Sequence, residues 1–209
     1  MFTNRTEAGK LLAKKLLSFK GKNTVILAIP RGGVMVAAEV ARVLNSPLSA
    51  CVVKKIGAPS NPEFAIGAIG PDETIILDDE TIEQTEELRN YLQQEVNRLK
   101  VEVEERIKKF KSNLPAGGKT VILVDDGIAT GATTMAAIKW LKSQHPAKVI
   151  LAVPVAAPDI IEKLKPEVDK LICLEIPLFF SAVAQFYQDF PQVTDEEVLE
   201  TLKILKKTN

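Results

Sequence analysis

The chain of 209 residues contains no apolar stretch close to the roughly 20 residues that a membrane-spanning helix needs. With two cysteines and one histidine, neither a disulfide framework nor a cysteine- or histidine-based metal site is expected. The 27 basic and 27 acidic residues cancel, which argues against general binding to nucleic acid or to a membrane surface. The N-terminal segment lacks the continuous apolar core of a signal peptide. These absences predict a cytoplasmic protein with neither membrane nor nucleic acid among its partners.

Short apolar runs rich in valine and isoleucine recur along the chain. Because they are continuous rather than alternating, they are typical of strands buried on both faces of a parallel sheet. Helical patterns at 34–44, 133–143 and 160–164 separate most of them, which indicates βαβ units. The predicted strands are 25–29, 48–53, 74–77, 120–124 and 149–153, with 171–176 as a sixth. The sequence therefore predicts an α/β fold with an open, mostly parallel sheet flanked by helices.

A long charged stretch at 79–114 interrupts this alternation. Its apolar residues recur at steps of mostly three and four, which predicts one long amphipathic helix, or two helices with a break. Such an insertion is too long for an ordinary crossover between strands. Its apolar stripe is expected to pack on the sheet or on a second subunit, and we favour packing within the chain.

The C-terminal segment carries the signature of a helix start. Thr194 is followed three residues later by Glu197. A threonine and a glutamate at this spacing form a capping box, in which each side chain binds the other residue's backbone N–H. A final helix is therefore predicted from Thr194 onwards.

The segment 120–134 joins a predicted strand to a predicted helix that begins near Thr133, and it has the composition of a phosphate-binding loop. Its glycines allow positive φ and the close approach of a ligand. Successive loop amides and the start of a helix form an anion site, to which threonine hydroxyls add donors. We predict that a phosphate group binds to Gly127, Ile128, Ala129, Thr130, Gly131, Ala132 and Thr133.

Two adjacent carboxylates, Asp125 and Asp126, stand directly before this loop. Acids at a strand end accept hydrogen bonds from vicinal hydroxyls and also attract a metal ion. A phosphate and a diol a few ångströms apart describe a ribose 5-phosphate. The alternative is an aspartate-rich turn before a capped helix, which needs no ligand.

Other phosphate loops fit this segment less well. A Walker loop ends in Gly-Lys-Ser/Thr, whereas Ala132 follows Gly131 here. A dinucleotide-binding fingerprint places its acid about 20 residues after the glycines, whereas Asp125 and Asp126 precede them.

Residues 121–133 resemble the phosphoribosyl-pyrophosphate loop of type I phosphoribosyltransferases, with four apolar residues, two acids, a short stretch and Thr-Gly-x-Thr. The whole chain, with an Arg-Thr-Glu-Ala-Gly start and an aromatic tail, is similar to a less-characterised bacterial branch of that family. The resemblance implies transfer of phosphoribosyl from 5-phosphoribosyl-1-pyrophosphate to a nitrogenous base, with release of pyrophosphate and with Mg²⁺ as cofactor. It implies one domain over 1–209, with its core at 24–78 and 116–176 and a small hood from 1–20 and 177–209. A homodimer is left open.

The segment 28–33 resembles the pyrophosphate loop of the same family, although by itself it is merely a good turn. In that family the peptide before the glycine is often cis, so a cis bond is predicted between Arg31 and Gly32. The resemblance implies that Arg31, Gly32 and Gly33 hold pyrophosphate.

Two lysines, Lys54 and Lys55, follow the strand predicted at 48–53. They open a stretch to residue 70 whose position matches the family's mobile catalytic loop. The resemblance implies that both lysines act with Arg31 as catalytic cations for the leaving group, and solvated surface charge is the alternative. Asp125 and Asp126 would serve as catalytic acids that hold the ribose hydroxyls and, directly or through water, the metal.

The acceptor base is less well defined by the sequence. Ala129 stands where hypoxanthine–guanine enzymes carry an aspartate, which weakens a 6-oxopurine assignment. Phe179 and Phe180 are expected to stack on the base, with a small hydrophobic cluster that pins the tail as the alternative. The second candidate function is a regulator that binds phosphoribosyl pyrophosphate or a nucleotide without turnover. The predicted pyrophosphate-loop cations favour the enzyme.

Overall fold

The computed structural model describes residues 1–77, 86–112 and 115–208. The helices in these ranges are α1 (Arg5–Lys15), α2 (Gly32–Leu44), α3 (Glu86–Phe110), α4 (Ala132–Ser143), α5 (Pro158–Leu164) and α6 (Asp195–Thr208). The strands are β1 (Thr24–Ala28), β2 (Leu48–Ala50), β3 (Lys54–Ala58), β4 (Asn61–Ile69), β5 (Ile75–Leu77), β6 (Thr120–Val124), β7 (Lys148–Val155) and β8 (Lys170–Glu175). No helix in these ranges is both long enough and apolar enough to cross a membrane.

Five strands form a parallel sheet in the order β2–β1–β6–β7–β8. Thr24 of β1 pairs with Thr120 of β6, so neighbouring strands come from distant parts of the chain. Since all five run in one direction, their carboxyl ends lie along one edge, where ligands bind in open α/β sheets. The predicted parallel α/β sheet is confirmed.

Helices cover both faces of this sheet. Ile26 and Ile122 belong to one apolar cluster, which includes residues of α1, α2 and α6. Val25 and Val121 belong to a second cluster, with residues of α4 and α5. Successive residues of each strand point to opposite faces, and both faces are buried, which explains the continuous apolar runs in the sequence.

Strands β3, β4 and β5 form a separate antiparallel sheet. The prediction that 74–77 joins the parallel sheet is therefore wrong, because an apolar run alone does not specify which sheet it enters. The expectation of a loop from 54 to 70 is also wrong for β3 and β4. Their glycines and proline are depleted in strands in general, and the register is irregular between Ile56 and Ala58.

The charged insertion contains one continuous helix of 25 residues, α3. Its buried side chains Leu92, Leu99, Val103 and Phe110 belong to the same cluster as α2 and α6. Packing within the chain is thus confirmed for the described part of the insertion. The predicted insertion residues 79–85, 113 and 114 lie outside the described residues.

The last helix begins as the sequence predicts. The Thr194 N–H donates to Oε2 of Glu197 over 2.7 Å, and the Glu197 N–H donates to Oγ1 of Thr194 over 3.2 Å. This reciprocal pair confirms the capping box.

Candidate functional site

The predicted phosphate loop follows β6 at the carboxyl edge of the parallel sheet. Asp125 and Asp126 come directly after Val124, and α4 begins at Ala132, one residue earlier than predicted. Gly131 precedes the helix with a φ of 74°, in the left-handed region that favours glycine. The motif therefore has the strand–loop–helix arrangement of an anion site.

The loop amides divide into two groups. Ile128 donates its N–H to the carbonyl of Val155 over 2.9 Å, so its amide is not available to a phosphate and that part of the prediction needs correction. In the described part of the chain, the amides from Ala129 to Thr133 donate to no protein acceptor. At the start of a helix, N–H groups that lack a protein acceptor can donate hydrogen bonds to a bound anion.

The loop after β1 meets the two acids. A methyl group added to Gly32 would lie 1.8 Å from Oδ2 of Asp126, and one added to Gly33 would lie 2.9 Å from Cα of Asp125. The predicted pyrophosphate loop and the predicted ribose-binding acids are thus adjacent. The cis peptide lies between Pro30 and Arg31, one bond earlier than predicted.

The two acids have different surroundings. The N–H of Asp126 donates to Oδ1 of Asp125 over 2.8 Å. Burial, and then the charge of Asp126, raise the pKa of Asp125 well above the usual aspartate value. Asp126 forms an ion pair, which keeps a compensating positive charge beside both carboxylates.

Its partner is Arg5, the first residue of α1, which sequence analysis missed as a site residue. Nε of Arg5 lies 2.7 Å from Oδ2 of Asp126, and Nη1 donates to the carbonyl of Pro191 over 2.8 Å. The guanidinium carbon stands 3.6 Å from the ring centre of Phe190. An arginine at a helix start carries, by sequence alone, no signal for a contact 121 residues away.

The C-terminal segment also contacts the motif. Tyr187 is buried, and its hydroxyl donates to the carbonyl of Asp126 over 2.6 Å. Burial raises the pKa of Tyr187, and the charge of Asp126 acts in the same direction. A methyl group added to Gly127 would lie 2.5 Å from Val183. The terminal segments therefore touch the site, whereas their predicted grouping as a hood stays a prediction.

Arg31 faces an open cleft of about 400 Å³ beside Gly32. The cleft is lined by Arg5, Arg31, Gly32, Phe190, Pro191, Gln192 and Val193. Nη1 of Arg31 lies 3.8 Å from Oδ1 of Asp195, whose other oxygen receives Nζ of Lys109 at 2.6 Å. That hydrogen bond lowers the pKa of Asp195. Both arginines of the cleft lining thus lie beside a carboxylate, Arg5 at Asp126 and Arg31 at Asp195.

The predicted catalytic lysines lie at the start of β3. Nζ of Lys54 is 2.8 Å from Oε2 of Glu102 in α3, and this hydrogen bond lowers the pKa of Glu102. Lys54 and Lys55 are both half-buried, and as successive strand residues they point to opposite faces. The structure brings Lys54 to α3 rather than to the Asp125–Asp126 pair.

The two predicted aromatic residues differ in exposure. Phe179 is 91% exposed. Phe180 is half-buried and stacks on Phe186, with ring centres 5.4 Å apart. Phe180 therefore belongs in part to the small cluster that was the alternative to base stacking.

A Mg²⁺ ion fits these residues when it arrives with a substrate. In the described part of the chain, no group of three or more acidic, histidine or cysteine side chains is placed to hold a metal by itself. Mg²⁺ is commonly bound through one or two carboxylates together with substrate phosphates, which matches the donors of Asp125 and Asp126.

The parallel sheet, the glycine loop and the paired acids define an open α/β protein with a candidate ligand site beyond the carboxyl ends of the strands. Residues 4–191 match the family model of the phosphoribosyl transferase domain. The chain belongs to that family, which confirms the resemblance drawn from the sequence.

Similar proteins agree with this assignment. Two proteins of Mycobacterium tuberculosis, from strains CDC 1551 / Oshkosh and ATCC 25618 / H37Rv, are named provisionally as phosphoribosyl transferases. Each is 39% identical over 205 residues, which is 97% of this chain and 46% of the relative. The chain thus spans about half the length of these relatives.

Solved structures show the same fold. The crystal structure of the TT1426 protein from Thermus thermophilus is 40% identical, with a TM-score of 0.88 over 96% of this chain and 97% of that one. The AQ2163 protein from Aquifex aeolicus is 14% identical, with a TM-score of 0.50 over 82% and 73% of the two chains. The second likeness concerns the fold alone.

Proposed function

We propose that this protein is a phosphoribosyltransferase that uses 5-phosphoribosyl-1-pyrophosphate and Mg²⁺ and transfers phosphoribosyl to a nitrogenous base. The observation that carries the proposal is the contact between the Gly32–Gly33 loop and the Asp125–Asp126 pair. In this proposal, the ligand bound across this contact combines a phosphate, a ribose diol and a pyrophosphate. Family membership supports the same conclusion.

In this proposal each part of the substrate has its own residues. The 5-phosphate binds to the unpaired amides from Ala129 to Thr133, and the hydroxyls of Thr130 and Thr133 add donors. Asp125 and Asp126 accept hydrogen bonds from the ribose hydroxyls. Arg31 and Gly32 hold the pyrophosphate, whose charge grows as it leaves.

Asp125 and Asp126 are also the residues that would hold Mg²⁺, directly or through water. When bound, the ion supplies positive charge that stabilises the departing pyrophosphate. The contribution of the protein is to hold both substrates in line, so that the base nitrogen faces the ribose carbon that loses pyrophosphate. The base would lie between the loop after β6 and the C-terminal segment, with Phe179 and Phe180 as stacking candidates.

A second candidate function is a regulator that binds phosphoribosyl pyrophosphate or a nucleotide without turnover. The ion pair of Lys54 with Glu102 favours it, because a lysine held by α3 contributes less charge to a leaving group. A homodimer and a cytoplasmic location both stay predictions.

Calorimetric titration with phosphoribosyl pyrophosphate and Mg²⁺, followed by a panel of purine and pyrimidine bases, tests the proposal. Binding with pyrophosphate release for one base would establish the transferase and identify the acceptor. Binding without release for every base would favour the regulator. Absence of binding would contradict both.

Replacement of both acids, Asp125→Asn with Asp126→Asn, should abolish binding of phosphoribosyl pyrophosphate while the fold is retained. The reason is that amides accept hydroxyl hydrogen bonds less strongly than carboxylates and, without a negative charge, hold Mg²⁺ more weakly. The matched control is Glu104→Gln with Glu105→Gln, which removes two neighbouring exposed carboxylates from α3. Equal affinity of the two double variants in calorimetry would remove the ribose assignment.

A further inference from the structure

Arg5 is held at the candidate site from three directions. It is 9% exposed, and a buried arginine is rare unless its charge is paired. Asp126, the carbonyl of Pro191 and the ring of Phe190 each contact a different part of the guanidinium. These three contacts fix the orientation of the guanidinium plane. They therefore also fix the Asp126 carboxylate that the guanidinium binds.

The carboxylate of Asp126 is used asymmetrically. Oδ2 lies between Nε of Arg5 and the backbone at Gly32, where no added methyl group would fit. Oδ1 of Asp126 takes part in no ion pair in the part of the chain that the structure describes, and the side-chain contact of Asp126 with Asp125 helps to raise the pKa of Asp125. One oxygen is therefore anchored, and the other remains as an acceptor.

We propose that Arg5 is a positioning residue of the ribose site, which anchors Asp126 by Oδ2 and so presents Oδ1 to the ribose hydroxyls. The inference rests on the proposed function, since it takes the phosphoribosyl group as the ligand. Arg5 acts through Asp126 and contacts no reacting atom. Its charge also offsets the repulsion between two adjacent carboxylates, which would otherwise oppose their orientation toward one ligand.

Arg5 also connects the terminal segments of the chain to ligand binding. Phe190 and Pro191 belong to the wall of the cleft beside Gly32 and Arg31. A change in the position of Arg5 would therefore move both the acid and the cleft wall. Pre-organisation of this kind increases affinity because the binding groups need no ordering when the ligand arrives.

The test compares two ligands that differ by one hydroxyl, ribose 5-phosphate and 2-deoxyribose 5-phosphate. The wild-type protein should bind the ribose form more tightly, and Arg5→Met should reduce this preference by about tenfold, the size expected for a hydrogen bond to a charged group. The control is Arg42→Met, because Arg42 is exposed and pairs with Glu39 of its own helix. Its preference should equal that of the wild type.

The ratio of the two affinities separates a positioning role from a general structural role, since a damaged fold would weaken the binding of both ligands together. If circular dichroism shows that Arg5→Met does not fold, Arg5→Lys replaces it. Lysine keeps a positive charge for Asp126 but cannot also donate the second hydrogen bond, to the carbonyl of Pro191. An undiminished preference in the folded variant would overturn the inference. Tighter binding of ribose 5-phosphate by the Arg5 variant than by the wild type would also overturn the inference. It would mean that Arg5 competes with the ribose hydroxyls for Asp126.

A double-variant cycle tests whether Arg5 acts through Asp126. In an Asp126→Asn background, Arg5→Met should cause a smaller loss of affinity for phosphoribosyl pyrophosphate than in the wild-type background, whereas fully additive losses would overturn the proposal. Failure of the proposed function is distinguishable, since wild-type protein would then bind no phosphoribosyl pyrophosphate at all.

Discussion

At the scale of single residues, Asp125 and Asp126 are neighbours in the chain with separate tasks. Asp126 has a cation as partner, while Asp125 accepts the N–H of Asp126 and has its pKa raised chiefly by burial. A carboxylate in such a place destabilises the ligand-free fold, because ionisation is less favourable there than in the unfolded chain. In the proposed function, this cost falls at the position where the ribose hydroxyls need an acceptor.

Asp125→Asn should therefore raise the free energy of unfolding at pH 7 in the absence of ligand. The pKa of Asp125 is raised in the folded state, so its ionisation destabilises the fold as the pH rises above the unfolded value, by about 1.4 kcal/mol for each pKa unit. Below about pH 4 the carboxyl is protonated in both states, and the gain should vanish. Urea unfolding at both pH values measures this, and a gain independent of pH would contradict it.

Gly32→Ala should weaken phosphoribosyl pyrophosphate binding by more than about tenfold, a loss of at least about 1.4 kcal/mol. The added methyl group would lie 1.8 Å from Oδ2 of Asp126, which Arg5 holds in place, so the acid or the loop must move. Gly117→Ala is the control, since its methyl group would meet the carbonyl of Gln144 at 3.3 Å, away from the site. Calorimetry measures the affinity of both variants for phosphoribosyl pyrophosphate. Equal affinities would contradict the prediction, because binding would then tolerate separation of the loops after β1 and β6.

At the scale of elements, the sequence predicted the parallel strands because a strand buried on both faces is a continuous apolar run, which is visible in the sequence. It did not predict β3 and β4, because a hairpin with glycines, a proline and an irregular register resembles a loop. The strand–loop–helix arrangement around the two acids was predictable since β6, the loop and α4 form one local motif. Arg5 was not, because its contact with Asp126 depends on the packing of α1.

The hairpin of β3 and β4 carries the two lysines, and Lys54→Ala with Lys55→Ala should impair turnover more than nucleotide binding. The family resemblance assigns both lysines to the leaving group, where positive charge matters most as pyrophosphate departs, although Lys54 is paired with Glu102 in this structure. The measurement is kcat together with nucleotide affinity by calorimetry. The matched control is Lys14→Ala with Lys15→Ala, which removes two neighbouring exposed lysines from α1. Equal losses of turnover and binding would indicate a positioning role instead.

At the scale of the whole molecule, the small antiparallel sheet and the parallel sheet share one core. Trp140 of α4, the only tryptophan of the chain, is 7% exposed and packs against Gly70 at the end of β4. Residues of β4 appear in both apolar clusters that cover the parallel sheet. The antiparallel strands are therefore expected to unfold together with the rest.

Urea unfolding followed by Trp140 fluorescence and by far-ultraviolet circular dichroism should give coincident transitions. The fluorescence reports the contact between α4 and β4, and the circular dichroism reports all helices. The measurement is made without ligand, so that binding does not stabilise one part selectively. An earlier fluorescence transition would mean that the small sheet separates before the main core unfolds.

The pairing of β1 with β6 has a further consequence for synthesis on the ribosome. Thr24 meets Thr120, so nearly one hundred residues are translated between the two strands. At about 5–20 residues per second, β1 waits roughly 5–20 s for its neighbour. During that interval its apolar edge has no partner from β6, and nascent chains are most exposed to aggregation. The candidate site, whose two loops follow these two strands, is assembled only after that delay.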